Sequence, residues 1–304
     1  MSSSPKIKTA TAELVYHTPV ICGECPVWDE RQRKLYWADL TAGTIFVFDP
    51  EEGSNTPFDV GKPIGALALR EDGGLVLAMT DGFVYFDPES GKVTPIINPE
   101  SDKADHQFGD GKCDAVGRFW AGTYHNDISE PLGSLYSLEG NEAKKRVGGL
   151  ILSNGMDWSR DDKTFYHVDT IARTVSAYDF EVSSGEIGNR REILRFPEGR
   201  QLPDGLTVDA AGFLWIAVFN GGKVIRIDPE TGEVNFEVGV KNASQVTSCT
   251  FGGAGLDELY ITTAKEVGGP YGIAEEAIPL EANAGGLFRV KVPFSGVAPN
   301  RFKG

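Results

Sequence analysis

The sequence predicts an all-β protein, a six-bladed β-propeller, because it combines a repeated unit, short alternating strands and many turn residues. The chain has 37 glycines and 17 prolines among 304 residues, a composition typical of turns rather than of long helices. The repeat has a period of roughly 40–50 residues, the range for propeller blades. Its six copies open near Glu24, Gly65, Gly109, Asn154, Asp204 and Val246. We therefore expect residues 1–304 to form a single propeller domain around a central channel.

Within each copy the strands are short and alternate apolar with polar residues, as in "KLYWADL", "GLVLAMT", "TFYHVDT" and "FLWIAVF". The acidic segments between first and second strands predict hairpin turns: "DGG", "DAVG", "DDK", "DAAG" and "LDE". The N-terminal "AELVYH" is expected to add a strand to the last blade and close the ring, because an open blade leaves sheet edges unpaired. A two-sheet sandwich, the main alternative, predicts no internal period.

Charge and composition exclude several classes of partner. The net charge is −15, and nucleic-acid binding needs a basic face that the sequence does not show. No run of about 18 apolar residues predicts a membrane span, and the N-terminus lacks the apolar stretch of a signal peptide. Four cysteines, of which Cys113 and Cys249 are isolated, do not form a disulfide framework. We expect a cytoplasmic protein without a membrane partner, either a monomer or a small homo-oligomer.

Residues that open the copies are expected to meet, because the innermost strand of every blade runs along the channel. Three of these positions carry oxygen donors, namely Glu24, Asn154 and Asp204; in the sixth copy the position falls near Gln245. Two carboxylates and an amide suit a hard divalent cation, which also removes the repulsion between buried carboxylates. The Asn-Gly and Asp-Gly pairs that begin at Asn154 and Asp204 are, taken singly, also ordinary turn dipeptides. Their matched positions favour a metal site.

Five segments resemble, in order and spacing, the gluconolactonase / regucalcin / luciferin-regenerating-enzyme family. They are "GECPVWDERQRKLYWADL", "FGDGKCDAVGRFWAGT", "ILSNGMDWSRDDKTFYHVDT", "LPDGLTVDAAGFLWIAVFNGGKVIRI" and "VTSCTFGGAGLDELYITTA". The resemblance implies a six-bladed propeller with one divalent metal, held by Glu24, Asn154 and Asp204. Calcium, zinc, manganese and magnesium all remain open. It also implies hydrolysis of a lactone, with the metal polarising the carbonyl and Asp204 as both ligand and general base.

One segment departs from the family pattern, which usually has R-x-N-D-G-K where this chain has "QFGDGK". Gln107 offers no guanidinium fork and Gly109 no side-chain oxygen, so the usual sugar-lactone specificity is not implied. We expect a bulkier or less hydroxylated lactone or ester, with Phe108, Tyr124 and Phe219 lining the mouth. The expected substrate contacts are Gln107, Gly109, Tyr124, His125 and Asp127.

Three other interpretations stay open or are set aside. Cys22-x-x-Cys25 is expected to pack around Glu24 rather than to bind zinc, because no second such pair occurs. Neither Ser153 nor Ser248 has a nucleophile-elbow context, so serine catalysis has little support. The alternatives to a lactonase are a non-catalytic calcium-binding propeller and a metal-dependent phosphotriesterase-like hydrolase.

Overall fold

The computed structural model describes residues 7–265 and 281–304, and every regular element in this part is a β-strand. The first strand, β1 (Lys8–Tyr16), belongs to the largest sheet. Four sheets of four strands follow in chain order. The first two contain β2 (Gly23–Asp29), β3 (Lys34–Asp39), β4 (Thr44–Asp49) and β5 (Ser54–Asp59), then β6 (Ile64–Leu69), β7 (Leu75–Met79), β8 (Gly82–Asp87) and β9 (Lys92–Ile97). The next two contain β10 (His106–Cys113), β11 (Phe119–His125), β12 (Gly133–Glu139) and β13 (Glu142–Leu150), then β14 (Ser153–Trp158), β15 (Thr164–Asp169), β16 (Thr174–Glu181) and β17 (Glu186–Arg195).

The fifth sheet has eight strands in the order β18-β19-β20-β21-β1-β24-β23-β22. Its remaining members are β18 (Leu202–Val208), β19 (Leu214–Phe219), β20 (Lys223–Ile227), β21 (Val234–Val240), β22 (Val246–Gly252), β23 (Glu258–Thr263) and β24 (Leu287–Lys291). Strand β1 joins its two halves. Residues 8–12 pair in parallel with β21, and the end of β1 pairs antiparallel with β24. Six repeats therefore yield five hydrogen-bonded sheets.

The first strands of the repeats surround a common space. They are β2, β6, β10, β14, β18 and β22, and each contacts the next, with β22 returning to β2. These strands are mostly buried, and β6 and β18 are buried at every residue. The fourth strands, such as β5 and β17, are largely exposed. Burial thus decreases outward along each repeat.

The predicted strands and turns match the structure closely. "KLYWADL" and "TFYHVDT" form β3 and β15, and each acidic segment predicted as a turn joins a first strand to a second. One segment overlaps a strand, because β23 already starts at Glu258. Apolar side chains from neighbouring repeats pack between the sheets, with Trp37, Trp120 and Trp215 fully buried. Across residues 7–265 and 281–304 no helix is long and apolar enough to cross a membrane.

Candidate metal centre

Every first strand loses its regular register against the second strand near the predicted channel position. The irregularities fall between residues 24 and 27, 64 and 66, 108 and 111, 153 and 156, 203 and 206, and 246 and 248. A β-bulge of this kind breaks the in-and-out alternation and re-aims side chains. The repeated bulges explain how residues from different repeats come to face one cavity.

The cavity at this level has a volume of about 300 Å³ and brings together six of the eight predicted site residues. Its wall includes Glu24, Asn154, Asp204, Gln107, Gly109 and Tyr124. In the sixth repeat the residue in the wall is Thr247, within the bulge, whereas the sequence placed the position near Gln245. Phe108 and Phe219 also line the cavity, as expected from the sequence.

The other two predicted substrate contacts, His125 and Asp127, are not among the described residues of the cavity wall. His125 ends β11, and its Nδ1 lies 2.8 Å from Oδ1 of the exposed Asp127. Gln107 contacts the same loop, because its Nε2 donates to Oδ1 of Asn126 at 2.5 Å. A substrate contact by His125 or Asp127 stays a prediction.

Glu24 and Asp204 are carboxylates in a buried setting. Burial, and next the neighbouring Asp110 carboxylate, raises the pKa of Glu24 well above its ordinary value. For Asp204, burial comes first and the repulsion from Glu24 second, and its pKa is raised likewise. The Asn154 side chain hydrogen-bonds Asp204, but Oδ1 of Asp204 is buried without any hydrogen-bond partner. Such an orphaned oxygen is costly unless something absent from the structure satisfies it.

Asp110 is a functional candidate that the sequence prediction missed. Ligand atoms of Glu24, Cys25 and Asp110 all lie within 4.8 Å of one another. Oδ1 of Asp110 accepts a bond from the N–H of Gly111 at 2.7 Å. Asn154 accepts from the N–H of its following glycine in the same way, at 3.0 Å. Asp110 is followed by a glycine, as Asn154 and Asp204 are, and this shared pair is the sequence signal that could have identified it. The comparison of the repeats instead placed Gly109 at the channel position.

The glycines after Asn154 and Asp204 serve close packing rather than turns, so the interpretation of these pairs as turn dipeptides is wrong. Both pairs lie inside strands, β14 and β18. A Cβ on Gly155 would lie 2.5 Å from the carbonyl oxygen of Asp204, and one on Gly205 would lie 2.2 Å from Oγ of Ser248. First strands of adjacent repeats therefore approach each other at a distance that only glycine allows.

The four cysteines are all free and buried. Burial, followed by the charges of Asp110 and Glu24, raises the pKa of the Cys25 thiol well above its ordinary value. Its Sγ donates to the carbonyl oxygen of Gly65 at 3.3 Å. Cys25 also has a φ of +50°, in the left-handed region that residues other than glycine rarely adopt. Its backbone thus turns the chain directly after Glu24.

A second cavity, of about 170 Å³, shares Asp110 with the first. Lys112 lies in its wall, and its Nζ donates to Oδ2 of Asp157 and to the carbonyl oxygen of Leu206, each at 2.9 Å. This lysine is therefore committed to a structural ion pair between repeats.

The cavity of about 300 Å³ lined by Glu24, Asn154 and Asp204 is called the mouth cavity below. Its donor set fits a hard divalent cation. It offers carboxylate oxygens of Glu24, Asp110 and Asp204 and the amide of Asn154, and no lysine, arginine or histidine lines it within the described ranges. Oxygen ligands of this kind suit calcium, magnesium or manganese, and zinc also accepts carboxylates. The unpartnered Oδ1 of Asp204 is the observation that favours a cation most directly.

Fold and site together define an all-β protein with an acidic cavity inside a ring of strands. A family model described as "SMP-30/Gluconolactonase/LRE-like region" matches residues 22–265. Regucalcin of Xenopus laevis is 37% identical over 289 residues, which cover 93% of this chain and 95% of that protein. A Bacillus subtilis (strain 168) protein, YvrE, provisionally named a sugar lactone lactonase, is 35% identical over 96% of this chain and 99% of its own.

Among solved structures, a luciferin-regenerating enzyme superposes with a TM-score of 0.87 at 28% sequence identity, covering 96% of this chain and 99% of its own. Regucalcin of Agrobacterium tumefaciens superposes with a TM-score of 0.90 at 22% identity, covering 99% of this chain and 100% of its own. At this level of identity the similarity shows a common fold and nothing more. The chain belongs to the SMP-30/gluconolactonase/LRE-like family, as the sequence motifs predicted, and its all-β fold is propeller-like.

Proposed function

We propose that this protein is a divalent-metal-dependent lactonase that opens a cyclic ester by attack of water. Membership of the SMP-30/gluconolactonase/LRE-like family supports a lactonase-like activity. The observation that carries the metal dependence is the buried Oδ1 of Asp204, which has no protein partner although it lies in a cavity with other buried oxygen donors. Glu24, Asn154 and Asp204 would hold the ion, with Asp110 beside Glu24.

A bound divalent ion would supply a Lewis acid for the lactone carbonyl. Asn154 orients Asp204 through their side-chain hydrogen bond. Asp204 accepts the proton of the attacking water as a new carbon–oxygen bond forms at the carbonyl, and the ring carbon–oxygen bond then breaks. The same proton passes to the departing alkoxide, so the product is a hydroxy acid. The buried side chains of Phe108, Leu152 and Phe219 in the wall would limit the access of other water to the reacting atoms.

We also propose that the fold has six blades in one domain. The closed order of contacts among the six first strands supports this, as does the matching bulge in each. In this view the eight-stranded sheet is two blades that β1 joins by pairing with both β21 and β24.

A cytoplasmic location is proposed because the four cysteines are free and buried, which suits a reducing compartment.

A non-catalytic calcium-binding protein would use the same oxygen donors, so the test must separate binding from turnover. Purified protein is stripped with chelator and reloaded with Ca²⁺, Zn²⁺, Mn²⁺ or Mg²⁺, and hydrolysis is measured on a lactone panel and on a phosphotriester. We expect lactone turnover only with metal, and loss of turnover in Asp204→Asn. Asp179→Asn, an exposed acid outside the cavity wall, is the control. Metal binding without any turnover would instead support the binding protein.

A further inference from the structure

The mouth cavity has an excess of negative charge. Its ionisable wall groups are Glu24, Asp110 and Asp204, and no basic side chain accompanies them in the part of the chain that the structure describes. With all three carboxylates ionised around one divalent cation, a charge of −1 remains. In a space of low dielectric constant, this charge repels a carboxylate or phosphate substituent on a substrate. It also repels the carboxylate of a hydrolysed product.

Three polar side chains of the wall already have hydrogen-bond partners within the protein. The amide of Gln107 donates to Asn126, and Oγ of Ser153 lies 2.8 Å from Nε2 of His167. Thr247 donates to a backbone carbonyl of β2. A substrate hydroxyl that enters the cavity therefore gives up water and has to compete with these bonds inside the protein.

Much of the remaining wall is apolar and aromatic. Phe219, Phe108 and Leu152 are buried side chains of the wall. Tyr124 packs over Gly109, because a Cβ built on this glycine would lie 3.6 Å from Cδ1 of the tyrosine ring. The backbone at Gly109 leaves no room for a side chain, since the same Cβ would lie 2.6 Å from a carbonyl oxygen of Ser153. The aromatic face of Tyr124 thus replaces any polar group at this position.

We propose that the cavity selects small neutral lactones with hydrogen, alkyl or aryl substituents over polyhydroxylated or anionic ones. This inference rests on the proposed lactonase activity. The volume of about 300 Å³ is at the low end for small-molecule sites. It favours a single ring with a short side chain, and so the less hydroxylated rather than the bulkier of the substrates expected from the sequence. Specificity then depends on the Tyr124–Gly109 contact and on the neutral Gln107.

The first experiment compares δ-lactones of equal ring size with the metal-loaded protein. One carries a short alkyl chain, one is glucono-δ-lactone, and one carries an added carboxylate. Rates are divided by the uncatalysed rate of each compound. We expect kcat/KM for the alkyl lactone to exceed that for the other two by about tenfold or more, the scale of discrimination by pocket polarity. Equal or better turnover of glucono-δ-lactone overturns the inference and leaves the proposed lactonase intact. Failure to hydrolyse any lactone overturns both.

The second experiment adds a cation to the wall. Gln107→Arg is expected to raise kcat/KM for the carboxylate-bearing lactone by about tenfold relative to the alkyl lactone, through attraction in the cavity. Gln32→Arg makes the same change at an exposed position outside the cavity and should leave this ratio as in the parent protein. Binding of the corresponding lactams, which the enzyme does not open, gives a readout independent of turnover. An unchanged ratio in Gln107→Arg, with circular dichroism showing a folded protein, overturns the inference.

Discussion

Asp39 and Asp169 have the same structural role in two different repeats. Each carboxylate accepts hydrogen bonds from the backbone just before a proposed metal ligand. Asp39 accepts N–H bonds from residues 21 and 22 at 2.9 and 3.3 Å. Asp169 accepts them from residues 151 and 152 at 2.9 and 3.1 Å. Both residues end a second strand and are buried. Each bonded pair ends two residues before a proposed ligand.

Replacing either aspartate by asparagine should destabilise the fold and weaken metal binding. Asparagine has one acceptor oxygen and no charge, so at least one bond to the backbone is lost, at about 1–3 kcal/mol. Urea unfolding and calorimetric titration with the metal measure the two effects. Asp49→Asn is the control, because Asp49 makes similar bonds in an exposed turn. A stability loss without any change in metal affinity would contradict the positioning role.

Glu24 and the flanking cysteines should differ sharply in their effect on metal content. Glu24→Gln removes a charged oxygen donor and should lower metal affinity by about tenfold or more. Cys22→Ser with Cys25→Ser should keep metal content near that of the parent, because burial raises the pKa of both thiols and keeps them protonated. Elemental analysis after dialysis distinguishes the variants. Metal loss in the serine double variant would make Cys25 a ligand.

Gly155→Ala should be more damaging than an ordinary surface change. Its Cβ would meet the backbone of Asp204 and of Leu206, at 2.5 and 2.4 Å, and overpacking of this kind costs about 1–3 kcal/mol or more. Because the Asp204 backbone must shift, metal affinity should fall as well. Gly188→Ala is the matched control, since a Cβ there meets nothing within 4 Å. Equal stability of the two variants would refute the close-approach argument.

His167 should make stability depend on acid pH. Burial lowers its pKa from 6.5 to about 3, so the unfolded chain binds a proton that the folded protein does not bind between these values. Stability from this source is complete above pH 6.5 and is lost as the pH falls toward 3. His167→Gln should flatten that part of the profile, measured by urea unfolding from pH 7 to 5, while His17→Gln, at an exposed site, should not. A profile that keeps its slope would argue against a neutral buried histidine.

After metal removal, the stability of the folded protein should fall as the pH rises, which is the opposite of the trend that ion-paired carboxylates produce. In the metal-free protein the pKa values of Glu24 and Asp204 exceed their ordinary values of 4.5 and 3.8, so the folded state binds more protons than the unfolded state above those values. Stability therefore falls as the pH rises through the raised pKa values. A thermal melt should show Tm decreasing from pH 5 to 8 after chelation. Reloading the ion should restore most of the loss at pH 8, and no such recovery would count against the site.

Much of the architecture could be predicted from the sequence, because the repeat spacing and the alternation within strands are local properties. The pairing of the N-terminal strand with the last repeat was predicted and is confirmed, because "AELVYH" pairs with β24. The parallel pairing of β1 with β21 was not predicted, since nothing local in the sequence relates strands more than 200 residues apart. Glu24, Asn154 and Asp204 line one cavity, as their matched positions in the repeats predicted, and their role as metal ligands stays a prediction. Asp110 was missed because it lies one residue beyond the matched position: Gly109 is the first residue of its bulge, as Asn154 and Asp204 are of theirs, and Asp110 is the second.

The pairing of β1 has a consequence for the order in which the chain folds. Glu13 and Arg289 hydrogen-bond across 276 residues of sequence. Strand β1 is therefore synthesised long before its partners, so one edge stays unpaired until β21 has left the ribosome and the other until β24 has. Long-range pairing of this kind slows folding and exposes strand edges to aggregation. The N-terminal strand is thus where a chaperone, a fusion tag or a truncation would act most strongly on the yield of folded protein.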